Sequence, residues 1–273
     1  MAEEGSRVVL VTGAAGGIGA AITRALIGAG HIVAAVDRHA AGLAKLAAAS
    51  GYIFPLVADL ANEAACRDVV VTAAKRYGRI DAVINNAGIG VSSLRPDGEL
   101  NLPRIEELTT QIWDNFFAIN VRAPMLLMQA ALPHMRKGGF GRVINNTTSF
   151  RTMLRVLPYG ATKSALESMS AIWAAELKAD GITVNVLIPG GPTDTPFISD
   201  GAGWDRGKML RPAIMGPPAC WLISDEAAGY TGQRIIAANW DAKLPGAEAA
   251  AKAGRTIGWP ELGADAVWLQ GKS

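Results

Sequence analysis

Cysteine and histidine are scarce in this chain: two and three of them in 273 residues. Cys66 and Cys220 lie far apart, and His31, His39 and His134 are scattered. A disulfide framework is excluded, no metal-ligand spacing exists, and no metal is expected. Such cysteine usage fits a reducing compartment. An excess of one charge is also missing. Lys and Arg total 26 against 24 Asp and Glu, a net of +2, so nothing calls for nucleic acid or an anionic membrane as partner. Long hydrophobic runs are lacking too. Residues 8–11 are too short for a signal core or a membrane span, and later apolar stretches are broken by Gly, Pro or charge. Together these absences predict a cytoplasmic protein.

What the chain does have is apolar material. Half of its residues are hydrophobic, enough for a sizeable core. Short β-branched runs at 8–11, 32–36, 52–57, 82–85, 142–145, 183–187 and 234–237 alternate with Ala-rich amphipathic stretches at 17–30, 39–50, 62–77, 111–136 and 159–179. Apolar strands joined by helices predict an α/β fold: one doubly wound parallel sheet with helices on both faces. No repeat or linker marks a boundary. Residues 1–240 read as one catalytic domain, and 241–273 as an extension that folds back or crosses to a neighbour. The extension and its approach carry Trp240, Trp259 and Trp268, costly to leave in water. Segments 89–110 and 189–218 are rich in Pro and Gly, and read as functional loops.

After the first strand comes Thr12-Gly13-Ala14-Ala15-Gly16-Gly17-Ile18-Gly19, then a helix. Glycines there let the backbone turn tightly and let a pyrophosphate approach the amides of a helix N-terminus. Asp37 ends the second strand. Its carboxylate can accept hydrogen bonds from ribose hydroxyls and would repel a 2′-phosphate, which selects NAD over NADP. Arg38 could offset that in part, but Gly16 brings no basic side chain to the turn.

In this order the motifs resemble those of the short-chain dehydrogenase/reductase family, over about residues 6–240. Thr-Gly-x-x-x-Gly-x-Gly resembles its cofactor turn. Asp59-Leu60 resembles the pair at the end of strand three that contacts adenine. Asn85-Asn86-Ala87-Gly88 matches the motif after strand four. Trp113 with Asn120 resembles the active-site Asn helix, and Tyr159-Gly-Ala-Thr-Lys163 is Tyr-x-x-x-Lys. Pro189-Gly190 follows strand six, and Leu222-Ile-Ser-Asp with Thr231-Gly232 resembles the C-terminal signature. The resemblance implies a seven-stranded parallel sheet, NAD as cofactor held by Gly13, Gly16, Gly17, Ile18, Gly19, Asp37, Arg38, Asp59, Leu60, Asn86, Ala87 and Gly88, and a homo-oligomer, tetramer or dimer. It implies that Asn120 orders a water in a proton relay and that Lys163 also holds the nicotinamide ribose.

Tyr159 and Lys163 are four apart on one helix face. A free phenol has a pKa near ~10, and a nearby ammonium lowers it. Tyr159 can then take a proton from an alcohol as hydride leaves, or protonate an alkoxide in reverse. An activity inflection below the free-phenol value is expected. A hydroxyl from strand five should steady the substrate oxygen. Strand register puts Thr148 there. Residue type favours Ser149, and a small bulge in Thr-Thr-Ser would tip the choice to it. Either sits closer to Tyr159 than is usual in the family, so the loop between is shortened.

The family usually offers a backbone N–H four residues into the Pro-Gly segment. Here Pro192 stands at that place and has none. A neighbouring amide, Thr193 or Thr195 must replace it. A lid over 195–215 and a wall of Phe150, Arg151, Met153, Leu154 and Arg155 suit a mid-sized alcohol or carbonyl with an apolar body, and Arg151, Arg155 or Arg211 could hold an acidic substituent. The leading reading is an NAD-dependent oxidoreductase of secondary alcohols and ketones. The alternatives are an NADPH-preferring 3-oxoacyl ketoreductase and a catalytically silent dinucleotide sensor. The second of these has no use for Tyr159, Lys163 and Asn120 together.

Overall fold

The structure is a computed structural model that describes residues 5–263. Its strands are β1 (Val8–Thr12), β2 (Ile32–Asp37), β3 (Ile53–Val57), β4 (Ala82–Asn85), β5 (Gly141–Asn146), β6 (Ile182–Ile188), β7 (Gln233–Ile236) and β8 (Gly254–Thr256). They form a single sheet in the order β3-β2-β1-β4-β5-β6-β7-β8. The first seven run parallel, as expected. The eighth is a correction to the seven-strand expectation: β8 pairs antiparallel to β7 at the sheet edge. Its three residues, Gly-Arg-Thr, carry no apolar pattern that would have announced a strand.

The helices are α1 (Gly17–Gly28), α2 (Ala40–Ala47), α3 (Glu63–Tyr77), α4 (Thr110–Phe117), α5 (Ala123–Gly138), α6 (Phe150–Met153), α7 (Tyr159–Glu176), α8 (Gly216–Ile223), α9 (Gly246–Ala253) and α10 (Pro260–Gly263). They cover both faces of the sheet. Along β1 successive side chains serve opposite cores, as the two-residue period of a strand requires. Val9 and Val11 join Ile22, Leu26, Leu43 and Leu222 on one side. Val8 and Leu10 join Val70, Leu127, Met135 and Leu177 on the other. Each such side chain contributes roughly 1.5–3 kcal/mol on burial. Leu166 on α7 and Leu177 just past its end are buried in the core.

The stretch expected as one helix at 111–136 is broken by a π turn, Ala118–Arg122, that separates α4 from α5 and carries Asn120. The whole run Thr110–Gly138 is long and apolar enough to cross a bilayer by length and composition. Here its Phe116, Leu126, Leu127 and Met135 lie in the core. The described part of the extension folds back on the same sheet through α9 and β8. Trp240 lies against Trp221, and Trp259 against Phe150. Trp268 lies outside the described residues.

Strand order reverses between β1 and β4. The loops leaving their carboxyl ends diverge and open a crevice, the usual ligand position in such sheets.

Candidate active site

The crevice is a cleft of about 1000 Å³. One end is the Gly-rich turn, where Gly13, Gly16, Gly17 and Ile18 line the wall. Gly13 has φ +65°, and a Cβ on it would come 2.9 Å from Ala87 Cα. Gly19 does not reach the cleft. It packs under the turn, where a Cβ would fall 2.0 Å from the Gly13 carbonyl. Asn86 bolts the turn in place: its Nδ2 donates to the Thr12 carbonyl at 3.0 Å, while the Asn86 and Ala87 amides donate to Thr12 Oγ1. The N-terminus of α1 has no side-chain cap and no acid in its first turn. Nothing lies within 4 Å of where a Gly16 Cβ would stand. Unspent amides, a favourable dipole and open space fit a diphosphate.

Asp37 also lines the cleft. Its Oδ2 accepts from the Ala15 amide and its Oδ1 from the His39 amide, both at 2.9 Å. Arg38 is exposed and is not among the lining residues. Asp59 and Leu60 do not line the cleft either. Asp59 Oδ1 accepts from the Ala61 amide, and Leu60 is buried in the core. Their sequence position fits a contact, but the turn into α3 uses them for itself. At the other end Ala87, Gly88, Pro189, Gly190, Thr193 and Thr195 all line the wall. Thr195 packs on Gly17, bridging the lid to the Gly-rich turn. The segment at Pro192 is zipped to the lid: Leu210 N donates to the Pro192 carbonyl, and Asp194 N to that of Leu210, each at 2.9 Å.

Tyr159 opens α7, and the Thr148 hydroxyl stands near enough to its phenol to favour ionisation. Ser149 is turned to another task. Its Oγ accepts from Thr152 N at 3.2 Å and lies 3.0 Å from Thr152 Oγ1, so it is the N-cap of α6. Strand register therefore identifies the residue at the phenol, and β5 pairs regularly to its end. The shortened loop is filled by α6. Gly160 permits the tight fit, since a Cβ there would stand 2.4 Å from the Met153 carbonyl.

Lys163 lies one turn below Tyr159, 3% exposed, and donates to the Asn146 carbonyl at 2.7 Å. Its Nζ is 5.7 Å from the centre of the Tyr159 ring. Burial brings the Lys163 ammonium down to about 8. It also pushes the Tyr159 phenol up, and the nearby Thr148 hydroxyl offsets this only in part. This departs from the expected lowering of the phenol. The Lys163 ammonium is spent on a carbonyl, and desolvation is the larger effect in the ligand-free site. Asn120 is fully buried. Its Oδ1 accepts from Ile89 N, and its Nδ2 donates to the Ile89 carbonyl and to Thr162 Oγ1. The side chain brackets the loop after β4 to α7 and has no donor left for a water.

Across the cleft, Phe197 of the lid tilts over Tyr159 with centroids 5.6 Å apart, and its carbonyl accepts from Ser92 Oγ. Arg211 is not free for substrate, because it pairs with Asp194 at 2.6 Å, as does Arg206 at 2.9 Å. Arg151 and Arg155 line the cleft. Phe150, Met153 and Leu154 are not lining residues: Phe150 faces Trp259, Met153 is buried, and Leu154 is 85% exposed. A short helical turn replaces the expected extended wall, so only part of it faces in.

The profile of the short chain dehydrogenase family matches residues 7–202, which spans the Gly-rich turn and the Tyr–Lys pair. The chain belongs to that family. D-threitol dehydrogenase of Mycolicibacterium smegmatis is 32% identical over 250 residues, covering 84% of this chain and 90% of that protein. L-fucose dehydrogenase of Oryctolagus cuniculus is 32% identical over 247 residues, 84% of this chain and 83% of that one. Among solved structures, 3-ketoacyl-(acyl-carrier-protein) reductase from Brucella melitensis, complexed with NADH, superimposes with a TM-score of 0.71 at 25% identity, over 84% of this chain and 95% of its own. A blue fluorescent protein from a metagenomic library, in complex with NADPH, gives 0.71 at 30% identity, with the same coverage. This short-chain dehydrogenase is an oxidoreductase of alcohols, and its family binds a nicotinamide dinucleotide and acts on small molecules.

The sequence did not single out some of the residues around this dehydrogenase site. Val91, Glu99, Leu100, Leu102, Thr152 and Val156 line the substrate end, but loop residues give no periodic signal. Glu167 and Arg234 form an ion pair of 2.6 Å behind Thr148, 0% and 4% exposed. For Glu167 a signal was present: it continues the four-residue spacing of Tyr159 and Lys163 along one face of α7.

Proposed function

We propose that this enzyme transfers hydride between NAD(H) and a secondary alcohol or ketone, with Tyr159 as the proton-transfer residue. One observation carries the reading. A phenol and a threonine hydroxyl meet over a buried lysine, in a cleft that leads to uncapped helix amides. A bound nicotinamide supplies the hydride acceptor in oxidation and the donor in reduction. Tyr159 takes the hydroxyl proton of the alcohol as the C–H bond is lost, and returns it to the oxygen in reverse. Thr148 donates a hydrogen bond to the same oxygen and steadies its developing charge. Lys163 borders the phenol from within, and its depressed affinity for a proton lets it exchange one near neutral pH. Asp37, held by two amides, supports NAD over NADP, since its carboxylate would repel a 2′-phosphate.

The relatives' names make polyols and sugars the first compounds to try. The test is a panel of D-threitol, L-fucose, simple secondary alcohols and a 3-oxoacyl thioester, each with NAD(H) and NADP(H), read at the absorbance of reduced nicotinamide. NAD-linked alcohol oxidation supports the reading. Preference for NADPH with the thioester would replace it with a biosynthetic ketoreductase. Exposed Trp113 and Ile172 on α4 and α7 support a homo-oligomer built through that face, which light scattering would measure.

A further inference from the structure

Behind the threonine proposed to act in catalysis lies a buried polar cluster. Glu167 follows Lys163 by one turn of α7 and Tyr159 by two, so all three point at the end of β5. Its Oε2 accepts from Thr147 Oγ1 at 2.8 Å and from Arg234 Nη1 at 2.6 Å. Arg234 comes from β7, two strands from β5. Its register partner is Val186, which in turn pairs with Asn145. The guanidinium thus reaches over β6 to the level of Thr147. Its Nη2 donates to the Thr148 carbonyl, and its plane covers the Phe150 ring at 4.8 Å. One side chain thereby touches residues 147, 148 and 150, the segment that presents the active-site hydroxyl.

Stability is a poor reason for this arrangement. Desolvating two charges costs several kcal/mol each, and well-packed apolar side chains often serve as well or better. Glu167 Oε1 is buried with no partner, which adds to the cost. What an apolar pair could not do is hold a carbonyl and a carboxylate at once in a fixed plane, as a guanidinium does. Thr147 and Thr148 alternate in direction as they leave the strand. The first hydroxyl is tied inward to Glu167, and the second stands on the side of the Tyr159 phenol.

We infer that Arg234 and Glu167 form a buried clamp that positions Thr148 for the reacting oxygen. Both are positioning residues: they act through Thr148 and do not touch substrate. The inference rests on the assignment of Thr148 and Tyr159 to the chemistry, and its test is built to separate the two.

The experiment is a double-mutant cycle. Arg234→Lys keeps a cation beside Glu167 but cannot also hold the Thr148 carbonyl in the same plane. A second variant, Glu167→Leu with Arg234→Met, removes both charges together and leaves no buried ion unpaired. Each is made with and without Thr148→Ala. The readouts are melting temperature, NADH affinity by fluorescence titration, and kcat on the first alcohol that reduces NAD in the panel. With Thr148 present, both variants should fold, bind NADH within about twofold of wild type, and lose roughly ten- to a hundredfold in kcat, as for an ångström of misplacement. Conversely, in the Thr148→Ala background they should lose almost nothing more. Full additive losses in that background, or an unchanged kcat in the first, would overturn the clamp. If Thr148→Ala alone leaves kcat intact, the assignment of the hydroxyl has failed, a distinct result. If neither clamp variant folds, the pair is a stability element and the inference is wrong.

Discussion

Replacing Thr148 by Ala should cut turnover by about a hundred- to thousandfold, while Ser149→Ala should leave it near wild type. The two hydroxyls are adjacent in sequence and have separate tasks. The Thr148 hydroxyl stands near the phenol of Tyr159, where the proposed mechanism places the substrate oxygen. An oxyanion donor is worth about 2.7–4 kcal/mol in the barrier. Ser149 caps a four-residue helix. Losing an N-cap costs about 1 kcal/mol of stability, a fall in melting temperature of roughly 2–4 °C for a chain of this size class. Thr148→Ser keeps the hydroxyl and should keep most of the activity. The assay is steady-state kcat with NAD, beside a thermal melt, for all three variants. A large rate loss in Ser149→Ala with a small one in Thr148→Ala would refute the argument from register and capping. Equal small losses would show that neither hydroxyl serves the oxygen.

Two further predictions follow from the charges in the cleft. Asp37→Ser removes the carboxylate proposed to meet the ribose, so NADP(H) should gain on NAD(H) in Kd; tighter binding of NADPH by the wild type would show the Asp37 argument to be wrong. Lys163 gives a pH test in the ligand-free protein. Its folded pKa is about 8 and its unfolded value about 10.4, so between them the unfolded chain holds a proton that the folded one does not. Wild-type stability should therefore rise with pH across that window relative to Lys163→Met, by up to about 1.4 kcal/mol per pH unit, in urea titrations. Parallel curves for the two proteins would contradict the buried ammonium.

The core strands and the Tyr–Lys pair were legible because their signals are local. β1 and β6 are mostly apolar and buried throughout, and Tyr159 and Lys163 share a helix face by spacing alone. The Gly-rich turn was legible because its place between strand and helix fixes its task. The misses are of another kind. β8 and α6 are three and four residues long, too short for periodicity. Thr148 and Ser149 could not be separated, because the choice depends on which hydroxyl caps a helix that the sequence did not announce. The side-chain amide of Asn120 is bonded to Ile89 and Thr162, contacts between distant segments that no local pattern announces. Arg234 and Glu167 stand 67 residues apart, so no local pattern links them. Burial explains the phenol: proximity of a cation in sequence does not say whether a carbonyl will claim it.

The most direct test of the account is turnover of Tyr159→Phe on a confirmed alcohol with NAD. The substitution removes one hydroxyl and keeps the ring that packs against Phe197, so folding and NADH affinity should survive. The account predicts that kcat collapses while the Kd for NADH changes little. Near-wild-type turnover would contradict it, since no proton transfer could then be assigned to Tyr159.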